Sequence, residues 1–186
     1  MDPIRLLMRP VTLIWAIGWI GLAGTFKEEL KPGLVGEYFT LEGDVQDFHA
    51  IAADRKPAVR RLDKQINWDS TAEKFAGTEL DERFYVRWTG LLRVPKDAAY
   101  TFYLESDDGS RLAVAGKQIV ENGGLHAMEE KSGEIELKAG DHEIKVELFE
   151  NEGDVGIRLS WEAPGLAKEV VPDSAFLHRK EKDLDK

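Results

Sequence analysis

Apolar and polar residues alternate through most of the chain, and the alternation is clearest from residue 84 onward. Phe84, Val86 and Trp88 share one phase of a segment that runs on to Val94. A period of two is typical of a strand with one buried face. The same pattern recurs at 35–41, 66–68, 100–106, 111–115, 118–121, 135–139, 142–148 and 157–161, with a closing edge at 170–177. Each of these segments is predicted to be a strand.

Turn residues separate these segments, and no long amphipathic helix is evident. About eight or nine short strands with turn signals roughly every 8–12 residues are typical of a sandwich or barrel. We therefore predict an all-β fold, an antiparallel β-sandwich of jelly-roll-like form. The polar stretch 42–65 is expected to be a long loop with a helical turn near 45–53.

The N-terminal residues have the pattern of a secretory signal peptide. Arg5 and Arg9 precede an uncharged apolar run over 11–24 that ends in small residues. We predict a signal peptide over 1–24, a linker over 25–33, the sandwich over 34–177 and a disordered charged tail over 178–186. An uncleaved anchor is the alternative, although the run is shorter than the ~20 residues of a spanning helix.

Charge and cysteine content narrow the partners and the compartment. The formal net charge of −10 argues against nucleic acid and anionic membrane surfaces, which bind clustered Lys and Arg. The chain has no second apolar run, so no membrane span is predicted once the signal peptide is cleaved. The chain has no cysteine, so its stability must come from core burial and, we expect, from a bound ion. We predict an exported protein of the periplasm, cell surface or extracellular space.

The strongest candidate for chemistry is the turn SDDGS at 106–110, where Asp107 and Asp108 lie between two predicted strands. Three interpretations are open. Asp and Gly are ordinary turn residues. A carboxylate pair could hydrolyse glycosides, but this needs carboxyls about 5–9.5 Å apart, and neighbours on a strand point to opposite faces. The third interpretation is a calcium site, because Ca²⁺ takes six to eight oxygen ligands from carboxylates, amides, backbone carbonyls and water.

A second acidic loop, at 150–155, could complete such a site. It offers the Asn151 side chain and free backbone carbonyls. If the strands bring both loops to one end of the sandwich, their oxygens can meet around one ion. An ion with open positions can also accept vicinal hydroxyls of a sugar.

Other catalytic chemistry finds little support in the sequence. There is no cysteine and no Gly-x-Ser-x-Gly elbow. The histidines have no metal-ligand spacing; they are His49, His126, His142 and His178. His142 is in phase with the core face of its strand, whereas His126 follows a glycine-rich loop and could touch a ligand. We expect no enzyme.

Several motifs in order resemble one family. They are GEYF at 36–39, FYVRWTG at 84–90, YTF at 100–102, SDDGS at 106–110, VAGK at 114–117, NGGLH at 122–126, ELFE at 147–150 and IRLSW at 157–161. They resemble the protective-antigen fourteen-kilodalton domain, which occurs in a bacterial toxin component, in fungal flocculins and epithelial adhesins, and as an insert in glycosidases.

The resemblance implies a β-sandwich, often a carbohydrate-binding module. In the flocculin branch, two adjacent Asp joined by a cis peptide bind calcium together with an Asn and backbone carbonyls of a second loop. By resemblance, the metal ligands are Asp107, Asp108, Asn151 and the carbonyls of Gly153 and Val155. Asp108, Asn151 and His126 are the carbohydrate-binding residues. The chain lacks the disulfides and the long specificity insertion of that branch, so no particular sugar is implied.

Two functional hypotheses follow. The first is an exported, calcium-dependent module that binds a glycan or polysaccharide. The second is a non-catalytic structural or protein-interaction module of the cell envelope, in which the acidic turn is only a turn and the partners are proteins.

Overall fold

The architecture is an antiparallel sandwich of two sheets. A computed structural model describes residues 28–48, 51–52 and 54–184. The strands are β1 (Leu30–Pro32), β2 (Leu34–Thr40), β3 (Val59–Asp63), β4 (Asn67–Thr71), β5 (Phe84–Val94), β6 (Ala98–Asp107), β7 (Ser110–Val114), β8 (Lys117–Asn122), β9 (Glu129–Leu137), β10 (Gly140–Glu150), β11 (Val155–Ala163), β12 (Leu166–Val170) and β13 (Phe176–Arg179). The predicted all-β sandwich is confirmed. The predicted signal peptide lies outside the described residues.

The larger sheet has the order β1-β13-β5-β10-β7-β8, with β2 beside β5 and β3 beside β2. The smaller sheet has the order β12-β11-β6-β9, with β4 also paired to β11. The long strands β5 and β10 pair over their whole length, as do β6 and β11 over most of theirs. These two pairs form the centre of the sandwich, so their inward side chains form most of the core.

The alternation predicted from the sequence places the core correctly. Phe84, Val86 and Trp88 are fully buried between the sheets, as are Tyr100 and Phe102 on the facing sheet. Burying large aromatic and aliphatic side chains supplies the main favourable term in folding. The core therefore follows directly from the period-two pattern.

One carboxylate is buried within the core and fully compensated. Asp63 accepts hydrogen bonds from Tyr38 Oη at 2.6 Å and Trp88 Nε1 at 2.8 Å, and it pairs with Arg61 Nε at 2.8 Å. A side chain at Gly36 would collide with this carboxylate. The glycine of the GEYF motif thus leaves room for a hydrogen-bonded acid, since an unpaired buried charge would be strongly destabilising.

The boundaries of the sandwich differ from those predicted. Strand β1 lies inside the expected linker and pairs Leu30–Pro32 with Leu177–Arg179 of β13. His178, expected in a disordered tail, is almost fully buried. Both strands are short, three and four residues, so their pairing depends on a distant partner that periodicity does not reveal.

The stretch 42–65 also differs from the expected loop. It contains strand β3, which pairs with β2. The described residues from 45 to 52 contain no helical turn. His142 is half-buried rather than in the core, and its Nε2 lies 2.7 Å from the Lys138 carbonyl oxygen. It stands near the start of β10, where the strand leaves the sandwich.

The topology brings two crossings between the sheets side by side. The chain passes from β6 to β7 through residues 107–110, and from β10 to β11 through residues 150–155. Because β6 pairs with β11 and β7 pairs with β10, both crossings lie at the same end of the sandwich. This is the arrangement that a site shared by the two acidic loops requires. In the described part of the chain, no helix has the length and apolar character needed to cross a membrane.

Candidate functional site

The site is built where the two crossings meet. Asp107 ends β6 and faces Gly156 of β11 in the sheet register. The peptide bond between Asp107 and Asp108 is cis, as the resemblance implied. Gly109 follows, and its carbonyl accepts a hydrogen bond from the Phe149 N–H at 2.9 Å. The acidic turn is therefore attached directly to the end of β10.

Asp108 connects three segments of the chain. Its Oδ1 accepts a hydrogen bond from the His126 N–H at 3.0 Å, and its Oδ2 accepts one from the Asn151 N–H at 3.1 Å. Its own N–H donates to Glu150 Oε2 at 3.1 Å. The side chain is only 6% exposed. The carboxylate thus brings the loop 122–127 and the second acidic loop to the same point.

Asp107 is the more open member of the pair. Burial raises the pKa of Asp107 above its ordinary value, and the charges of Asp108 and Asp154 raise it further. The nearest hydroxyl donor is Ser70 Oγ, 3.5 Å from Asp107 Oδ2, which is at the outer limit for a hydrogen bond. Asp107 therefore carries a carboxylate that the protein itself solvates poorly.

Glu150 is a third carboxylate of the site, and it was not predicted. It is fully buried at the end of β10. Burial, followed by the charge of Asp108, raises the pKa of Glu150 to about 8. Its Oε1 has no hydrogen-bond partner among the described residues. The available signal was its phase, because Glu150 continues the inward face of Ile144, Val146 and Leu148.

The site is rich in negative charge. Asp154 on the second acidic loop acts electrostatically on both Asp107 and Glu150. No Lys or Arg of the described residues forms an ion pair with Asp107, Asp108, Glu150 or Asp154. Four carboxylates therefore share one end of the sandwich without a Lys or Arg partner among the described residues, although His126 acts electrostatically on Asp107.

Asn151 holds several segments together. Its N–H donates to Asp108, and its carbonyl accepts from the Arg83 N–H at 2.8 Å. Its side-chain Oδ1 accepts from the Val45 N–H at 2.8 Å. Gly153 follows at a positive φ of 114°, and Val155 begins β11. The predicted calcium ligands thus all lie on the two crossings.

His126 enters the site through its main chain. Its ring nitrogens face carbonyl oxygens of its own loop, with Nδ1 3.0 Å from Ala127 and Nε2 3.1 Å from Asn122. The ring thus stabilises the loop that carries the N–H donated to Asp108. The sugar contact predicted for His126 stays a prediction. Beside it, Leu125 is 44% exposed, the only large apolar side chain so exposed in the described residues.

The donor set is the mixed oxygen set that calcium prefers. Within residues 28–48, 51–52 and 54–184, no three His, Cys, Asp or Glu side chains converge as a ready-made metal centre. The pair Asp107 and Asp108 would have to be completed by the Asn151 amide, backbone carbonyls and water. Calcium accepts such sets with flexible geometry, whereas transition metals favour imidazole and thiolate ligands. The residues present fit calcium on this chemistry, and the buried Glu150 Oε1 is a further oxygen that no described residue satisfies.

Comparison with known proteins identifies the family of this fold. The profile of the PA14 domain matches residues 30–175, which is most of the chain. The chain belongs to the PA14 domain family. The matched region begins with β1 and ends just before β13, so this PA14 domain accounts for nearly the whole sandwich.

Anti-sigma factors are among the relatives of this PA14 domain. It is similar to anti-sigma-I factor RsgI3 of Acetivibrio thermocellus, with 30% identity over 154 residues, which are 81% of this chain and 22% of that protein. It is also similar to a solved anti-sigma factor domain-containing protein from Clostridium clariflavum. That likeness has a TM-score of 0.67 and 29% identity, over 82% of this chain and 49% of the other. The chain thus spans about half or less of these relatives.

A sugar-binding domain shares the fold. The PA14 sugar-binding domain from an RTX adhesin superposes with a TM-score of 0.69 and 21% identity, over 79% of this chain and 98% of the other. At this identity the likeness concerns the architecture alone.

Proposed function

We propose that this PA14 domain is a non-catalytic, calcium-dependent carbohydrate-binding module. The observation that carries the proposal is a group of carboxyl groups at the two crossings that no Lys or Arg of the described residues pairs with. Asp108 and Glu150 are buried, Asp107 and Asp154 lie beside them, and Glu150 Oε1 lacks a partner among the described residues. Burying carboxylates without a cation is strongly unfavourable, so an external divalent cation would relieve it.

In this proposal the residues take the roles that the family resemblance implies. Asp107 and Asp108 supply carboxylate oxygens, and Asn151 supplies its amide oxygen. The backbone carbonyls of Gly153 and Val155 complete the protein ligands. Glu150 lies beneath the pair and adds negative charge without direct access to solvent. When bound, calcium would supply open coordination positions for ligand oxygens.

A sugar would bind at the open side of the ion. Vicinal hydroxyls can replace water on calcium, and they can donate to carboxylate oxygens. In this proposal Asp108 and Asn151 contact both ion and sugar, and His126 contacts the sugar. The glycan or polysaccharide partner, and the export predicted from residues 1–24, are parts of this proposal.

Calcium titration of the melting temperature tests the first step. Calcium should raise the melting temperature of the wild-type domain, because a ligand that binds only the folded state stabilises it. Glycan-array binding should then disappear with a chelator and with Asp107→Ala. Arg93→Ala, on an exposed part of β5, is the matched control and should bind glycans normally. Glycan binding that survives both the chelator and Asp107→Ala would rule out the calcium mechanism.

A protein-interaction module is the second candidate, and the anti-sigma factor relatives favour it. In that function the acidic turn is structural, and a protein of the cell envelope is the partner. Asp108→Ala should then leave calcium-dependent stability and partner binding unchanged. If calcium raises the melting temperature of the wild type but not that of Asp108→Ala, the acidic turn takes part in ion binding, which excludes a purely structural turn.

A further inference from the structure

We propose that segment 43–48 forms a third wall of the site, in addition to the two crossings at 107–110 and 150–155. Within it, Phe48 is a positioning residue which holds the Asn151 side chain in place. The inference rests on the proposed calcium function and assigns a role to a segment that no sequence motif marked. Segment 43–48 contacts both loops that flank Asp108, as well as the strand end beneath it.

The first contact fixes the Asn151 amide. Val45 is almost fully buried, with 2% of its surface exposed. Its backbone N–H donates to Asn151 Oδ1 at 2.8 Å. An amide oxygen has two lone pairs, so it can accept this hydrogen bond and still bind an ion. The hydrogen bond also decides which end of the amide is oxygen and restricts its rotation.

The second contact anchors the segment to the sheet. The Phe48 ring meets the Phe149 ring edge to face, with centroids 5.0 Å apart, and the Arg111 guanidinium lies 4.3 Å from the Phe48 centroid. Edge-to-face pairs and cation–π contacts are both favourable beyond simple burial. Phe48 is therefore, with the buried Val45, one of two side chains that attach a segment whose other side chains are exposed.

Phe149 connects this anchor to the acidic turn. A side chain on Gly109 would collide with the Phe149 ring, and the Phe149 N–H donates to the Gly109 carbonyl. The ring under Phe48 therefore packs directly on the backbone that follows Asp108. A shift of Phe48 would therefore alter the packing of Phe149 and, through it, the backbone position at both crossings.

The third contact reaches the loop at 122–127. A Cβ placed on Gly123 would lie 3.1 Å from Asp47 Oδ1, so the Asp47 carboxylate lies against this glycine. Segment 43–48 thus touches the loop whose His126 N–H donates to Asp108. The three contacts thus join segment 43–48 to the two loops that donate hydrogen bonds to Asp108 and to the end of β10.

The experiment measures calcium affinity by titration calorimetry on the full chain. Phe48→Ala should weaken calcium binding about tenfold or more, the usual range when the support of a metal ligand is lost. Phe48→Tyr keeps the ring and should bind calcium as the wild type does. Tyr103→Ala is the matched control, because Tyr103 is also half-buried beneath a cation, Lys168, at 3.9 Å, but lies on the other sheet. It should lose stability without losing calcium affinity.

Amide hydrogen exchange gives a readout that destabilisation alone does not move. Asn151→Ala and Phe48→Ala should each speed exchange at Val45, whereas Tyr103→Ala should not. Wild-type calcium affinity in folded Phe48→Ala, or unchanged Val45 exchange in Asn151→Ala, would contradict the role proposed for segment 43–48. If the wild type binds no calcium, the proposed function itself fails, and the role of the wall falls with it.

Discussion

Two buried glutamates on β10, Glu147 and Glu150, show how differently this fold treats the same side chain. Glu147 faces outward beneath segment 43–48 and is only 3% exposed. It accepts two hydrogen bonds from Arg111, at 2.7 and 2.9 Å, one from the Tyr85 hydroxyl, and pairs with Lys145 at 2.9 Å. Glu150, three residues further on and on the opposite face of the strand, has one backbone hydrogen bond and no cation among the described residues.

The pKa values separate the two glutamates in opposite directions. Burial alone would raise the pKa of Glu147, but the hydrogen bonds from Arg111, Tyr85 and Lys145 outweigh it and lower the pKa to about 2. Burial and the neighbouring Asp108 raise that of Glu150 to about 8. Where a buried acid is structural, as at Glu147 and Asp63, the protein supplies the donors. At the two crossings it supplies backbone N–H donors to Asp108 and Glu150 but no Lys or Arg ion pair among the described residues, which supports a cation from outside.

The largest expected effect comes from removing the main partner of Glu147. Arg111→Ala should destabilise the protein by about 3 kcal/mol, because breaking a buried pair leaves one charge uncompensated. The free energy of unfolding in urea measures the loss. Arg93→Ala removes an exposed bidentate pair with Asp141 and should lose less than about 1 kcal/mol. Equal losses in the two variants would contradict the structural role given to the ion pair between Arg111 and Glu147.

Acid should act on Glu147 in a defined pH window. Its pKa is lower in the folded protein than the ordinary 4.5, so its contribution is complete above about pH 4.5 and is lost as the pH falls toward 2. Glu147→Gln should therefore be less stable than the wild type near neutral pH, by up to about 3 kcal/mol. The difference between the two proteins in urea should shrink as the pH approaches about 2. A constant difference across that window would contradict the assignment.

The same substitution at Glu150 should have the opposite sign. The folded pKa of Glu150 is raised, so its favourable contribution is present below about pH 4.5 and is lost as the pH rises through about 8. In calcium-free buffer near pH 9, Glu150→Gln should stabilise the protein by about 1–2 kcal/mol, because the amide replaces a buried unpaired charge. Urea unfolding measures this gain.

Calcium should reverse that gain. An ion compensates the Glu150 charge, so Glu150→Gln should bind calcium more weakly than the wild type in calorimetry, about tenfold. Glu147→Gln, in which the altered carboxylate already has its own partners, is the control. A loss of stability in calcium-free Glu150→Gln would show that the fold needs this charge after all.

The sequence predicted the part of this contrast that local patterns encode. Alternation placed the strands β5, β6, β10 and β11, and the turn at 106–110 singled out Asp107 and Asp108. The strand positions and this turn depend on residues close together in the chain. The calcium interpretation required both acidic loops at one end of the sandwich, and the pairing of β6 with β11 and of β7 with β10 brings them there.

Other features depend on distant partners and were missed. Strand β1 forms only by pairing with β13. Segment 43–48 was expected to be loop or helical turn, and its packing on the distant Phe149 and Arg111 could not be read from the local pattern. Glu150 was passed over because it ends a strand, where a charged residue normally faces water. Its phase with Val146 and Leu148 was the one available signal.

The smallest expected effect concerns Ser70, the only hydroxyl near Asp107 among the described contacts. At 3.5 Å the contact is too long to compensate a carboxylate, unlike the short pairs around Glu147. Ser70→Ala should therefore change the free energy of unfolding by less than about 0.5 kcal/mol, the usual range for surface substitutions. Calcium affinity should also stay close to that of the wild type. A loss comparable to that of Arg111→Ala would mean that the protein holds Asp107 with its own donors, and the distinction between structural and ion-binding carboxylates would no longer apply to it.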